Sequence, residues 1–393
     1  MKSDDLPEPM QPVAERTMTL DALRGAALFG VLLVNLESDF RASLFQQMLT
    51  PHLHAGWLNY ATDLIVAGVF EFKAFTLFAF LFGVGVGIQT GRASANVASF
   101  LVKRFTVLLV IGLCHMLLIW NGDILTLYAV CGLLLIPLVK LPARWLAASG
   151  IALILLSPYL TVFWVFSPPP PLVIAHAAIA TRVYAAGGFE EIMALRWHEA
   201  WRFIAPLLIG SLPRTFGLML CGVAAWRGGV LIDSLKQRGW LKRFCLITGS
   251  LGVVTTAAQL WAKETAHPMP SVLNWIAPYD TVWLAGAYGA GLWLWLSRTH
   301  SRSARWLAAG GRLALSNYLM QSVLFSMLFY GFGFGLFGQV GSAAAALLGC
   351  VVFAAQLVTS VFWLRRYQFG PMEWLWRSLT YGRRQPLRPT SRA

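Results

Sequence analysis

Apolar residues fall in long runs, not in the alternation of half-buried strands. Runs bounded by polar or Pro/Gly-rich segments cover about 20–36, 59–89, 104–120, 123–139, 145–166, 203–226, 245–262, 280–297, 312–330 and 341–364. A helix rises roughly 1.5 Å per residue, so runs of this length suit a hydrocarbon core about 30 Å thick. The pattern predicts an all-α, polytopic membrane helix bundle of about ten transmembrane helices. The second run is too long for one upright helix and carries Glu71 and Lys73 near its middle. A tilted or broken helix is expected there.

The first run is also striped. At roughly 100° per residue, Asp21, Arg24, Leu28, Val31 and Asn35 share one side of the helix. Polar groups at that depth must face protein or a wet cavity. Two readings follow. Asp21 and Arg24 pair and anchor the helix end while Asn35 bonds a neighbouring helix, or the stripe lines a reaction or transport site.

Composition supports the membrane class: 57% of the 393 residues are hydrophobic and only 12% charged, against roughly 25% charged in soluble chains. Most of the 31 Lys and Arg fall on alternate loops and on the C-terminal stretch. The positive-inside rule then places both termini in the cytoplasm. The net charge of +14 is thereby a membrane-surface feature and not a nucleic-acid signal. Asp4, Asp5, Glu8 and Glu15 precede the first run, the wrong charge for a cleaved signal peptide. The expected organisation is a cytoplasmic tail (1–19), a bundle (20–364) and a basic cytoplasmic tail (365–393). The five cysteines form no C-x-x-C and read as small core residues.

Between the fifth and sixth runs lies the longest external segment, about 167–202. It opens Ser167-Pro168-Pro169-Pro170-Pro171, which predicts a stiff, extended start. An amphipathic helix at the outer interface should follow. Gly83, Gly87 and Gly91 recur every four residues and predict a ridge for close helix packing. Asn121-Gly122 suits a tight turn and Asp123 the cap of the next helix.

Candidate chemistry collects at the outer ends of the first four runs. Asn35, Glu37, Asp39, His52, His54, Asp63, His115 and Asp123 are all there. Such groups around one cavity suit general acid–base catalysis or a proton relay. Their spacing matches no zinc site and no nucleophile elbow. In the ninth run, Asn317 and Gln321 share one face and Arg312 and Ser316 another. These faces serve interhelical hydrogen bonds or a second polar wall opening to the cytoplasm.

Several stretches resemble the YeiB-like family of bacterial membrane proteins, whose C-terminal half (about 220–385 here) is known as domain of unknown function 418. They are Leu20–Gly25 with Val34-Asn35, Phe72–Phe78 with Leu81–Gly83, His115 with Trp120–Leu125, Gly311–Tyr318 and Gly370–Gly382. The Asp21-x-x-Arg24-Gly25 opening is also similar to that of membrane acyltransferases, including the lysosomal heparan-α-glucosaminide N-acetyltransferase. That resemblance implies transfer from cytosolic acyl-CoA, a co-substrate and not a resident cofactor, to an extracytoplasmic acceptor across a bacterial cytoplasmic membrane. It implies Arg24, Lys73 and Arg312 for the CoA phosphates and Asn35 for the thioester oxygen. His54 or His115 would be the base, with Asp63 in the same site. Asn35, Asp63 and one of the histidines are then expected around one outer pocket, with Arg24 and Lys73 nearer its cytoplasmic mouth. The rival is a proton-coupled carrier using Asp63, Glu71, Lys73 and His115; a non-catalytic envelope scaffold and a homo-oligomer both remain open.

Overall fold

The computed structural model describes residues 13–49, 55–92, 97–164, 170–231, 238–265, 267–296 and 301–388. No strand occurs among them. The first half comprises α1 (Val13–Asn35), α2 (Leu44–Leu49), α3 (Trp57–Ile65), α4 (Lys73–Arg92), α5 (Val97–Cys114), α6 (Leu125–Leu135), α7 (Ala143–Trp164) and α8 (Pro170–Ala186). The second comprises α9 (Phe189–Glu199), α10 (Ala205–Arg227), α11 (Arg238–Thr265), α12 (Ser271–Ile276), α13 (Asp280–Leu296), α14 (Arg302–Arg312), α15 (Ala314–Phe329), α16 (Ser342–Leu364) and α17 (Pro371–Tyr381).

Seven helical stretches among the described residues are long and apolar enough to cross a bilayer, and α6, α8 and α15 are shorter apolar helices. The protein is an all-α membrane bundle. In an apolar 18-residue window of the first stretch, Met18–Ser38, 83% of residues are buried, against 44% or less in such windows of the other six. That stretch is therefore the central helix and not a lipid-facing anchor. Two glycines let it approach α14: a Cβ on Gly25 would run into the Leu307 carbonyl, and one on Gly311 into that of Asp21.

The predicted break falls at Glu71-Phe72. Phe72 has φ 56°, a left-handed conformation costly for a bulky residue. This kink separates α3 from α4. Lys73, the first residue of α4, meets Asp280 at 3.2 Å, so each buried charge offsets the other. The glycine ridge is real for two of its three members. Gly83 abuts the Met219 backbone and Gly87 the Trp226 side chain, both on α10, whereas Gly91 faces open space.

Three elements depart from expectation. Pro170 and Pro171 start a helix, because proline's fixed φ suits the first helical turn; residues 165–169 lie outside the described set. The rest of the external segment is two helices packed on the bundle. Their buried faces are Val173, His176, Ala177, Ala180 and Tyr184, then Ile192, Arg196, Glu199, Ala200 and Phe203. The basic C-terminal stretch is also folded, since α17 packs against α5 and α15. It lies at the same end of the bundle as Asp21, Arg24 and Arg312, with Arg312 donating to the Gln368 carbonyl at 3.3 Å.

Candidate functional site

Two cavities enter the bundle from opposite ends. The inner one, about 340 Å³, is lined by Arg24, Arg104, Arg312, Tyr318, Glu373 and Trp376, among others. The Arg24 Nη1 donates to Asp21 at 2.8 Å, which fixes its position at the start of the central helix. The Arg104 guanidinium lies 3.7 Å from the Trp376 ring centroid, so α17 supplies a cation–π seat. Glu373 accepts from the backbone N–H groups of Leu315 and Ser316 at 2.8 and 3.1 Å and from the Ser316 hydroxyl. A carboxylate there caps the positive end of α15. Burial pushes its carboxyl above the ordinary 4.5, while those donors pull the other way.

The outer cavity is larger, about 580 Å³. Its polar end carries Asn121, Asp123, Tyr184 and Glu199; much of the rest is apolar, including Phe45, Phe75, Leu127 and Leu207. Glu199 organises that end. It accepts from His176 Nε2 at 2.8 Å, from the Tyr184 hydroxyl at 2.6 Å and from Asn121 Nδ2. Arg214 also lines the cavity and donates to the hydroxyls of Thr76, at 2.7 Å, and Thr281.

Ile124 and Tyr128 line both cavities. The Tyr128 hydroxyl donates to the Phe75 carbonyl at 3.1 Å and its ring lies 5.3 Å from that of Phe82, so the partition is clamped on both faces. His115 lines neither cavity, but residues that it touches do. Its Nδ1 is 2.8 Å from Asp123 Oδ1, and Asp123 Oδ2 accepts from the Thr126 N–H at 2.7 Å. Asp123 therefore caps α6, as its sequence position suggests, and orients the imidazole. His115 Nε2 is buried with no hydrogen-bond partner among the described residues. The imidazole centroid lies 5.1 Å from the Tyr318 ring. His115 thus links a lining residue of the outer cavity, Asp123, to one of the inner, Tyr318.

Four π-helical segments occur among the described residues, Leu36–Phe40, Val66–Phe70, His115–Ile119 and Ala200–Ile204, and all but Val66–Phe70 begin at or directly follow a buried polar group. Such widened turns recur at functional sites. His115 opens one, and Glu199 immediately precedes another.

Over 403 residues the chain is 33% identical to YxaH of Bacillus subtilis (strain 168), covering 95% of this chain and 96% of the relative. It is 30% identical to YeiB of Escherichia coli (strain K12), covering 93% of this chain and 96% of that relative. The chain belongs to the YeiB-like family. The family model described as protein of unknown function (DUF418) matches residues 225–383. In this YeiB-like chain that stretch supplies Arg312, Tyr318, Glu373 and Trp376 to the inner cavity, whereas the polar end of the outer cavity comes from earlier residues.

The sequence-predicted site residues of the YeiB-like chain do not share one pocket. Arg24 and Arg312 line the inner cavity, and His115 is buried and lines neither large one. Lys73 is engaged by Asp280 and by the Ala67 carbonyl at 3.0 Å, outside the inner cavity's lining. Asp63 lies 3.7 Å from Arg41, bonds Ser342 and borders a third, small cavity with Glu37. Asn35 is buried and borders neither large cavity. It follows Val31, which lines the inner one, by one turn on the same face. His54 lies outside the described residues. Arg104, Tyr128, His176, Glu199 and Glu373 were not anticipated. The signal for Glu199 was present: Ile192, Arg196, Glu199 and Phe203 recur at helical spacing on an apolar stripe.

Proposed function

We propose that this membrane protein transfers an acyl group from cytosolic acyl-CoA, held in the inner cavity, to an acceptor in the outer one. The observation that supports this most is the partition shared by the two cavities, together with His115, which contacts Asp123 of the outer cavity and Tyr318 of the inner. Arg24, Arg104 and Arg312 would attract the CoA phosphates at the inner end, and the thioester arm would run toward Tyr318. Asn35, next on the face that carries Val31, would steady the thioester oxygen. The acceptor oxygen attacks the thioester carbon; the new C–O bond forms as the C–S bond breaks. The acceptor proton passes to His115 Nε2 and on to the departing thiolate, giving free CoA thiol and an acylated acceptor. Asp123 would hold the imidazole and stabilise its cationic form.

The basic residues at the inner-cavity end and the bacterial relatives support the cytoplasmic membrane, with that end inward. A proton relay has less support, because Asp63, Lys73 and His115 belong to three separate polar pairs. Purified protein should be stabilised by CoA and acetyl-CoA, and Arg104→Ala should weaken that shift. If millimolar CoA and acetyl-CoA both leave the melting temperature unchanged, the transfer mechanism is wrong.

A further inference from the structure

We infer that the outer cavity receives a lipid-borne molecule with an uncharged, hydroxyl-bearing headgroup, which enters sideways from the bilayer. Calling that molecule the acyl acceptor rests on the proposed function; its binding does not.

The first observation is where the cavity opens. Leu207 and Phe72 line it yet are 42% and 55% exposed, and Ser211, one turn beyond Leu207 on α10, is exposed too. In a membrane bundle such residues face acyl chains. Along α10 the lining runs from Pro206 to Leu218, roughly 18 Å of helix at 1.5 Å per residue. A slot of that length with apolar walls and a side opening suits a lipid chain, whereas a water-borne sugar gains little from it.

The second is the charge of the polar end. Two carboxylates line it, Asp123 and Glu199. Every partner of Glu199 is a donor, so it acts as an acceptor throughout, and Oε1 with its single partner keeps a lone pair for a ligand hydroxyl. Arg214 is the sole Lys or Arg among the described lining residues. It stands fifteen positions beyond Glu199, roughly 22 Å along a continuous helical stretch. Arg196 is completely buried, its guanidinium 4.8 Å from the Tyr330 ring. A phosphate at the headgroup level would face two carboxylates. A hydroxylated, neutral headgroup meets acceptors, a phenol and an amide.

The test uses the full-length protein in phosphatidylcholine nanodiscs without CoA. A dialkylglycerol glucoside with a photoreactive group on one chain is crosslinked and the sites are mapped. Labelling should concentrate on α7 and α10 residues that line the cavity. Excess unlabelled glucoside should abolish it, phosphatidylglycerol of equal chain length should compete at least tenfold less well, and free glucose should not compete. Ser211→Trp, at the opening, should block labelling. Ile209→Trp, on the lipid face of α10 outside the lining, should leave it intact and shows that a Trp on this helix permits folding. Glu199→Gln should reduce the preference for the glucoside about tenfold, as loss of a charge-assisted hydrogen bond does. Equal protection by phosphatidylglycerol, equal protection by free glucose, or unchanged labelling in Ser211→Trp each overturns the inference. Because no CoA is present, these outcomes bear on lipid entry alone. Failure to consume thioester with lipid labelling intact would count against acyl transfer alone.

Discussion

At the scale of single residues, Asp123 carries two duties that one substitution separates. Its Oδ2 caps α6 and its Oδ1 holds His115. Asparagine retains the cap but not the charge that supports a protonated imidazole. Asp123→Asn should therefore keep the melting temperature within a few degrees and lower acyl transfer on the order of 100-fold. Steady-state turnover beside a thermal melt checks both halves. Glu373 gives a pH signature. With its native pKa above 4.5, the folded protein holds that proton more tightly than the unfolded chain. Stability from this group is full below about pH 4.5 and is lost as pH rises through the native value. Thermal melts across that window should show a steeper decline for the native protein than for Glu373→Gln. Residue types in the sequence pointed at much of this chemistry, but partners did not. His115 and Asp123 meet across a hairpin turn, eight positions apart. Arg104 looks like any loop cation until α17, distant in sequence, brings Trp376 over it.

At the scale of helices, the contacts differ sharply in tolerance. Gly311 sits where α14 touches the α1 backbone, and Gly91 borders nothing. Gly311→Val should destabilise the bundle by about 3 kcal/mol or prevent folding, since neither backbone can retreat. Gly91→Ala should be neutral, or stabilising by up to about 1 kcal/mol. Detergent-resistant thermal melts of the two variants would expose a wrong assignment of either surface. The hydrophobic runs anticipate most of the long helices because lipid imposes one length and one composition on them. The break near Glu71 was legible for the same reason: charge at mid-run cannot be left in an unbroken lipid-facing helix. Helices α8 and α9 were harder. Exposed Trp197 and Trp201 mark an interface, while the buried His176, Arg196 and Glu199 lie on the opposite faces and are invisible to a count of polar residues. In the ninth run the interhelical reading holds for one face. Asn317 and Gln321 bond Ser360 and Gln356 of α16 at 3.1 and 2.7 Å, while Arg312 lines the inner cavity.

At the scale of the whole molecule, both described ends lie on the inner-cavity side of the bundle. A cysteine at exposed Thr265, at the far end of α11, should react with an impermeant maleimide added to intact cells. One at exposed Arg384 should react only after lysis. External labelling of position 384 would reverse the sidedness of both cavities and, with it, the source of the acyl donor. The partition itself has an electrical consequence. Where the two cavities share Ile124 and Tyr128, those two side chains stand between spaces reached from opposite ends of the bundle. A cell that drives synthesis with a proton gradient can keep such a protein only if the Tyr128 ring stays in place. Tyr128→Gly should join the two cavities, and liposomes holding the variant should dissipate an imposed pH gradient faster than liposomes holding the native protein. A gradient that decays at the native rate would mean that other side chains maintain the seal.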